Sequence, residues 1–252
     1  MDYNPFSLEG KTILITGASS GIGRGIAVEC SKIGAKLVIS GRNEKRLQDT
    51  LSQLQGEGHL AIQADLSTQE GVDALVEQCP PINGFVPCAG IPKMQSVKHI
   101  NRKDLEEIVW INQEVPILLT TELLKKKKLQ KKSSIVFITS LSGIYVANMG
   151  ESLYSTTKAG ISGFAKGAAL ELAAQGTRVN TICPGLVPTS ILEMSNEMFS
   201  EEQLMESTKG KYPLRRLGRP EDMAYAAIFL LSDASDWVTG INMKVDGGYS
   251  LL

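Results

Sequence analysis

Thr16-Gly17-Ala18-Ser19-Ser20-Gly21-Ile22-Gly23 joins the β-branched run Thr12–Thr16 to a helical stretch over 22–33. Glycines at 17, 21 and 23 let the backbone turn sharply and come close to a pyrophosphate, and a helix start offers it unpaired N–H groups. An ordinary tight turn also uses glycine. Strand, loop and helix in this order give the context a dinucleotide loop requires, so Gly17, Ser19, Ser20, Gly21, Ile22 and Gly23 are candidate cofactor contacts.

Outward from this loop, short β-branched runs alternate with helical stretches, the pattern of a parallel sheet wrapped by crossover helices. Strands are expected near Thr12–Thr16, Lys36–Ser40, His59–Gln63, Gly84–Cys88, Ser134–Ser140, Arg178–Cys183 and Asn242–Val245. Helices are expected near 22–33, 43–55, 69–78, 102–126, 152–174 and 220–232. The fold class is α/β: a doubly wound, Rossmann-type, seven-stranded parallel sheet with helices on both faces, forming one domain over 1–252. An insertion at 190–212 is expected to close the substrate side as a lid.

Composition narrows the function. A net charge of −1 over 252 residues argues against a nucleic-acid binder. No apolar run approaches the ~18 residues of a membrane span, and the N-terminus lacks a signal-peptide pattern. Cys30, Cys79, Cys88 and Cys183 are scattered, as befits reduced thiols in the cytoplasm. With two histidines and no ligand spacing, a metal site is not expected.

After the second strand comes Ser40-Gly41-Arg42-Asn43, with no acidic residue to hold ribose hydroxyls and with Arg42 available for a 2′-phosphate. That favours NADP(H) over NAD(H). Asp65-Leu66 follows the third strand, where Asp65 serves either an adenine amino group or a helix start near Thr68. Ala89-Gly90 follows the fourth, small enough to pass close to a cofactor or a neighbouring helix. Farther on, Tyr154-Ser155-Thr156-Thr157-Lys158 sets a phenol and an ammonium one helical turn apart. A nearby cation favours the phenolate, lowering a pKa that is ordinarily ~10 and bringing proton transfer within reach.

With Thr16–Gly23, Asp65, Ala89-Gly90, Asn112, Ser140, Tyr154, Lys158 and Pro184-Gly185 in this order, the sequence resembles the short-chain dehydrogenases/reductases along essentially its whole length. Its end, from Gly218-Arg219-Pro220-Glu221-Asp222 to Asp246-Gly247-Gly248, has the form common in the 3-oxoacyl-acyl-carrier-protein reductase branch. The resemblance implies a catalytic tetrad of Asn112, Ser140, Tyr154 and Lys158. In it Ser140 binds the substrate carbonyl, Tyr154 gives it a proton, Lys158 grips the nicotinamide ribose and lowers the Tyr154 pKa, and Asn112 holds a relay water. Ser140 stands three before Gly143, as the family's Ser-x-x-Gly has it, with Ser142 the alternative. Pro184, Gly185, Val187 and Thr189 match the segment that contacts the nicotinamide carboxamide, and Pro188 is an unusual neighbour there. Pro87-Cys88 stands where the family usually has two asparagines.

On the substrate side, Met94, Met149, Met194, Met198, Phe199 and Met205 fall in segments expected around the pocket, or simply dock the lid helix. Six lysines lie within 125–132, either a solvated helix end or a dock for an acidic carrier protein. Gln175 stands where carrier-protein reductases tend to carry a basic residue, which weakens the docking reading. The resemblance implies pairing through 102–126, 152–174 and the C-terminal segment into a homotetramer or homodimer. The pattern Ile161, Phe164, Ala165, Ala168, Ala169, Leu172 allows such helix contact.

The leading expectation is an NADPH-dependent reductase of a ketone, foremost a 3-oxoacyl thioester on acyl carrier protein or coenzyme A. A dehydrogenase of another secondary alcohol (sugar, steroid or small hydroxy compound) is the alternative. A nucleotide-sensing binding protein is the non-enzyme reading, against which the tetrad argues.

Overall fold

The computed structural model describes residues 4–188, 206 and 210–252. Thr189, Met194, Met198, Phe199, Met205 and most of the expected lid lie outside the described residues.

Seven strands form one parallel sheet: β1 Thr12–Thr16, β2 Lys36–Gly41, β3 Leu60–Gln63, β4 Ile82–Pro87, β5 Leu129–Ile138, β6 Arg178–Pro184 and β7 Asn242–Val245. Their order is β3-β2-β1-β4-β5-β6-β7, so the chain reverses its direction of travel between β1 and β4. A crevice at such a switch point opens beyond the carboxyl ends of the strands.

The sheet is apolar on both faces because helices cover both. In β1, Ile13 and Ile15 join one core and Leu14 the other; in β2, Leu37 and Ile39 oppose Val38. The first core takes in α1 (Gly21–Lys32) and, late in the chain, the helix Pro220–Leu231. These two helices pack so closely that a Cβ on Gly25 would lie 2.6 Å from Pro220 Cβ. The second core takes in α3 (Gln69–Gln78) and the helices of the middle of the chain. Between β2 and β3 runs α2 (Glu44–Leu51), capped by Asn43, whose side chain accepts from Arg46 N.

Two elements differ from expectation. The stretch 102–126 is not one helix: α4 (Arg102–Val109) passes through a π-helical turn, Trp110–Glu114, into α5 (Val115–Lys125). Pro116 has no N–H to give the carbonyl four residues back, at Asn112, so regular α geometry fails there. Strand β5 begins at Leu129, before the expected Ser134, and its register against β4 jumps between Ile82 and Gly84. Gln130, Lys131 and Lys132 bulge out exposed, with Lys132 at φ 58°.

The long helix α6 (Ser152–Leu172) lays Ile161, Ala165, Ala168 and Ala169 against its own sheet, and Phe164 meets Phe137 edge to face at 5.9 Å. The apolar pattern assigned to subunit contact therefore belongs to the core; the face left outside carries Gly163, Gly167 and Leu170. The last helix is α7 (Pro220–Leu231). Among the described residues no helix is long and apolar enough to cross a membrane, and no metal-ligating cluster is present.

Candidate active site

A cavity of about 750 Å³ runs along the carboxyl ends of the strands, from Arg42 past the glycine loop to Tyr154 and Tyr249. Behind the glycine loop, buried Thr16 Oγ1 accepts from Cys88 N and Ala89 N, both at 3.2 Å, pinning the end of β4 to β1. Gly17 has φ 66°, and a Cβ there would stand 2.8 Å from Ala89 N. Only glycine meets both demands. A Cβ on Gly23 would strike the Gly17 carbonyl, so α1 starts directly under the loop. The first turn of α1 holds no acidic residue, leaving its dipole free to favour a phosphate. This cradle fits a pyrophosphate.

At one end of the cavity stand Arg42 and, missed in the sequence, Arg46, both exposed. Arg42 precedes the cap of α2 and Arg46 stands in its first turn, so a basic pair flanking a helix start could have flagged it. Asp65 lines the same end, but its carboxylate turns back on Ser67, accepting from the backbone N at 3.0 Å and the hydroxyl at 2.8 Å. Those bonds, with help from Arg42, hold its pKa below the usual carboxylate range. The cap of α3 is Thr68, not Asp65. Leu66 is buried, and its carbonyl accepts from Trp110 Nε1 at 3.0 Å.

Ser140, Tyr154 and Lys158 meet at the other end. Ser140 hydrogen-bonds the Tyr154 phenol. The Ser142 hydroxyl is instead given to Glu151, and it accepts from Asn148 Nδ2 at 3.0 Å. Geometry thus separates the two serines. Lys158 Nζ lies 5.7 Å from the centroid of the Tyr154 ring and donates to Ile138 O at 3.0 Å. Burial pushes Lys158 down to about 8 and the Tyr154 phenol up to about 12, the Ser140 bond drawing the latter back only in part. Removal from water dominates the phenol, and Lys158 is not among the groups that shift it.

Asn112 sits buried in the π-helical turn, and its amide ties Ile91 to α6, where its Nδ2 also reaches the Thr157 hydroxyl at 3.4 Å. Its Oδ1 accepts from Ile91 N at 2.8 Å and its Nδ2 donates to Ile91 O at 3.0 Å. Gly90 lies close by, where a Cβ would come within 3.1 Å of Asn112 Oδ1 and 3.6 Å of Lys158 Nζ. Cys88 is half-buried in the same wall, burial pushing its thiol up to about 12.

Pro184, Gly185, Leu186 and Val187 border the cavity after β6. Leu186 N donates to the hydroxyl of Tyr212 at 2.9 Å, and Tyr212 stacks on Tyr249 at 5.2 Å. The C-terminal residues thereby brace this loop, a link invisible in the sequence. Of the expected pocket methionines, Met94 lines the cavity, whereas Met149 is 97% exposed and outside it.

The lysine cluster lies at the amino end of β5, the length of that strand from the cavity of the same chain. Lys125 pairs with Glu122 and Lys126 with Glu77, each at 2.8 Å, and Lys128 donates to Cys79 O at 2.7 Å. Lys131 and Lys132 border a separate hollow with Gln175 and Glu171. Three of the six lysines are thus engaged at the end of α5, and two others lie in β5.

Comparison with known proteins fits this geometry. Residues 17–250 match the family model described as Enoyl-(Acyl carrier protein) reductase. The 3-oxoacyl-[acyl-carrier-protein] reductase FabG of Rickettsia prowazekii is 34% identical over 245 residues, covering 97% of this chain and 99% of the relative. Oxidoreductase UcpA of Salmonella typhimurium is 36% identical over 254 residues, covering 97% and 96%. A short-chain type dehydrogenase/reductase from Mycobacterium marinum superposes with a TM-score of 0.86 at 30% identity, covering 97% of each chain. A nucleotide cradle at the β1–β4 switch, a serine on a tyrosine with a lysine beneath, and relatives matched from end to end place this oxidoreductase in the short-chain dehydrogenase/reductase family.

Proposed function

We propose that the chain is an NADPH-dependent reductase of a ketone, its substrate a 3-oxoacyl thioester on acyl carrier protein or coenzyme A. The observation that carries this reading is the meeting of Ser140, Tyr154 and Lys158 at one end of a nucleotide-shaped cavity. A protonated acid suits reduction, which consumes a proton. A nicotinamide dinucleotide, when bound, is the hydride source. The residues of this chain do the rest. Gly17, Ser19, Ser20, Gly21, Ile22 and Gly23 hold its pyrophosphate, Arg42 its 2′-phosphate, and Asp65 and Leu66 its adenine. Ala89, Gly90, Pro184, Gly185, Val187 and Thr189 hold its nicotinamide half. Ser140 donates a hydrogen bond to the substrate carbonyl oxygen, Tyr154 gives that oxygen its proton, and Lys158 holds the nicotinamide ribose. Reprotonation of Tyr154 runs through a water held at Asn112.

The thioester is supported by the 34% identity to the reductase from Rickettsia prowazekii. Another secondary alcohol or ketone is the competing reading, favoured by the distance of the lysine cluster from the cavity of its own chain. Assembly as a homodimer or homotetramer belongs to the same proposal, with the outer face of α6 as the contact, as does a cytoplasmic site of action.

The test follows NADPH oxidation by absorbance, with acetoacetyl groups carried on coenzyme A and on acyl carrier protein. Turnover on either, faster on the protein-borne form and lost in Tyr154→Phe while NADPH still binds, is expected. NADPH binding without turnover on either would move the assignment to the other ketones. No turnover on a broad ketone panel would favour a nucleotide sensor.

A further inference from the structure

Glu151 is the N-cap of α6, three residues before Tyr154, and lines the same cavity. Its carboxylate is held in place. Ser142 Oγ and Asn148 Nδ2 both donate to Oε2, the latter at 3.0 Å, and Asn148 also donates to Ser142 Oγ. Among the described residues no hydrogen bond or cation engages Oε1. The charge is felt at the reacting group, for after burial and against the Ser140 bond it pushes the Tyr154 phenol upward.

The other charges of the cavity wall are otherwise occupied or farther along it. Lys158 is bonded to Ile138 O, and Lys93 is paired with Asp104 at 2.6 Å and Glu107 at 3.4 Å. Arg42, Arg46 and Asp65 belong to the nucleotide end. Lys211 also borders the cavity and is exposed, with no carboxylate partner among the described residues, so it is the competing charge.

We propose that Glu151 is a specificity-determining residue, a charge filter that excludes substrates with a carboxylate near the reacting carbonyl and admits neutral ones. Like charges in a partly dehydrated cavity repel far more than in water. The unengaged Oε1 also offers an acceptor to a substrate hydroxyl or amide N–H. This rests on the reductase reading, for a 3-oxoacyl thioester is the neutral form of a compound whose free acid is an anion. A second role, bracing the Ser140 loop through Ser142, is separable: glutamine keeps an acceptor for Ser142 and Asn148 and removes only the charge, whereas alanine removes both.

The experiment compares acetoacetate with its ethyl ester on the full-length protein, by NADPH-dependent kcat/KM and by calorimetric binding in the presence of NADP+. In Glu151→Gln the acid-to-ester ratio of kcat/KM is expected to rise at least tenfold, through the KM of the acid. In Glu151→Ala the same shift should come with a lower kcat on both. A ratio unchanged within twofold in Glu151→Gln overturns the filter, as does an equal loss on both compounds; a ratio that falls in Lys211→Gln while Glu151→Gln leaves it unchanged gives the charge selection to Lys211 instead. If neither compound is reduced, the reductase reading fails and calorimetry decides alone. Acetoacetate binding tightened in Glu151→Gln upholds the filter; unchanged or undetectable binding overturns it.

Discussion

Lys158 lies beneath the ring of Tyr154, 5.7 Å from its centroid, yet gives its hydrogen bond to the carbonyl of Ile138 at 3.0 Å. Without a carboxylate partner, its ammonium is a buried charge that burial pushes down to about 8. A lysine whose folded pKa is depressed binds fewer protons than in the unfolded chain between about 8 and 10.5, so its penalty is full below pH 8 and fades as pH rises. Lys158→Met should therefore raise the thermal midpoint of the nucleotide-free protein at pH 7, by roughly 1–3 kcal/mol of stability. Its advantage over the wild type should shrink between pH 8 and 10. Turnover should vanish at every pH. Calorimetric melting of both proteins across that range checks it; a lower midpoint for the variant at pH 7 would refute it.

The two serines should separate kinetically. Ser140 bonds the Tyr154 phenol, whereas the hydroxyl of Ser142 is spent on Glu151 and Asn148. Ser140→Ala is expected to lower kcat by about 100-fold or more, the scale of losing a donor aimed at developing charge. Ser142→Ala should cost less than about tenfold and show itself in thermal stability, since it unties a loop and leaves a carboxylate short of a donor. Equal losses of kcat would contradict this division.

Arg42, before the cap of α2, and Arg46, in its first turn, both line the exposed end of the cavity. A charge-assisted bond to phosphate is worth about 1.5–3 kcal/mol. Arg42→Ala should thus lower kcat/KM for NADPH by about tenfold or more and leave that for NADH nearly as it was. The double variant with Arg46→Ala should lose the preference altogether. An NADH preference in the wild type, undiminished in Arg42→Ala, would reverse the cofactor assignment.

What was legible in the sequence follows from which interactions are local. Strands β1 and β7 and helix α3 have the bounds their patterns imply, because periodic burial and a threonine cap are local signals. Tyr154 and Lys158 share a helix, so their spacing was enough to bring them together. The direction of their pKa shifts was not, for burial depends on distant segments such as Ile138 and Cys88 brought against Lys158. The choice between Ser140 and Ser142 turned on Glu151 and Asn148, whose reach no motif records. The apolar face of α6 was readable as a face, but periodicity cannot say whether a sheet or another subunit covers it. Pro116 did announce the break at Trp110–Glu114, to a reading that asks where each backbone bond goes.

That break sets up the last prediction. Asn112 closes both polar groups of Ile91, at 2.8 and 3.0 Å, and so fixes the chain that leaves β4 beside Lys158. Alanine would leave a part-buried N–H and C=O unpaired, at about 1–3 kcal/mol for each group not rescued by water. Asn112→Ala should lower the thermal midpoint by several degrees, about 2–4 °C per kcal/mol for a chain of this size. Asn112→Asp tests the clamp more finely, since it still accepts from Ile91 N but sets a negative charge against Ile91 O; it should be no more stable than alanine. A clamp of this kind also positions Gly90, where a Cβ would crowd both Asn112 Oδ1 and Lys158 Nζ. Both variants should therefore weaken nucleotide binding as well as slow turnover. A loss of turnover with unchanged melting and unchanged nucleotide affinity would instead assign Asn112 to proton relay alone, and the bond to Ile91 would carry no weight in the fold.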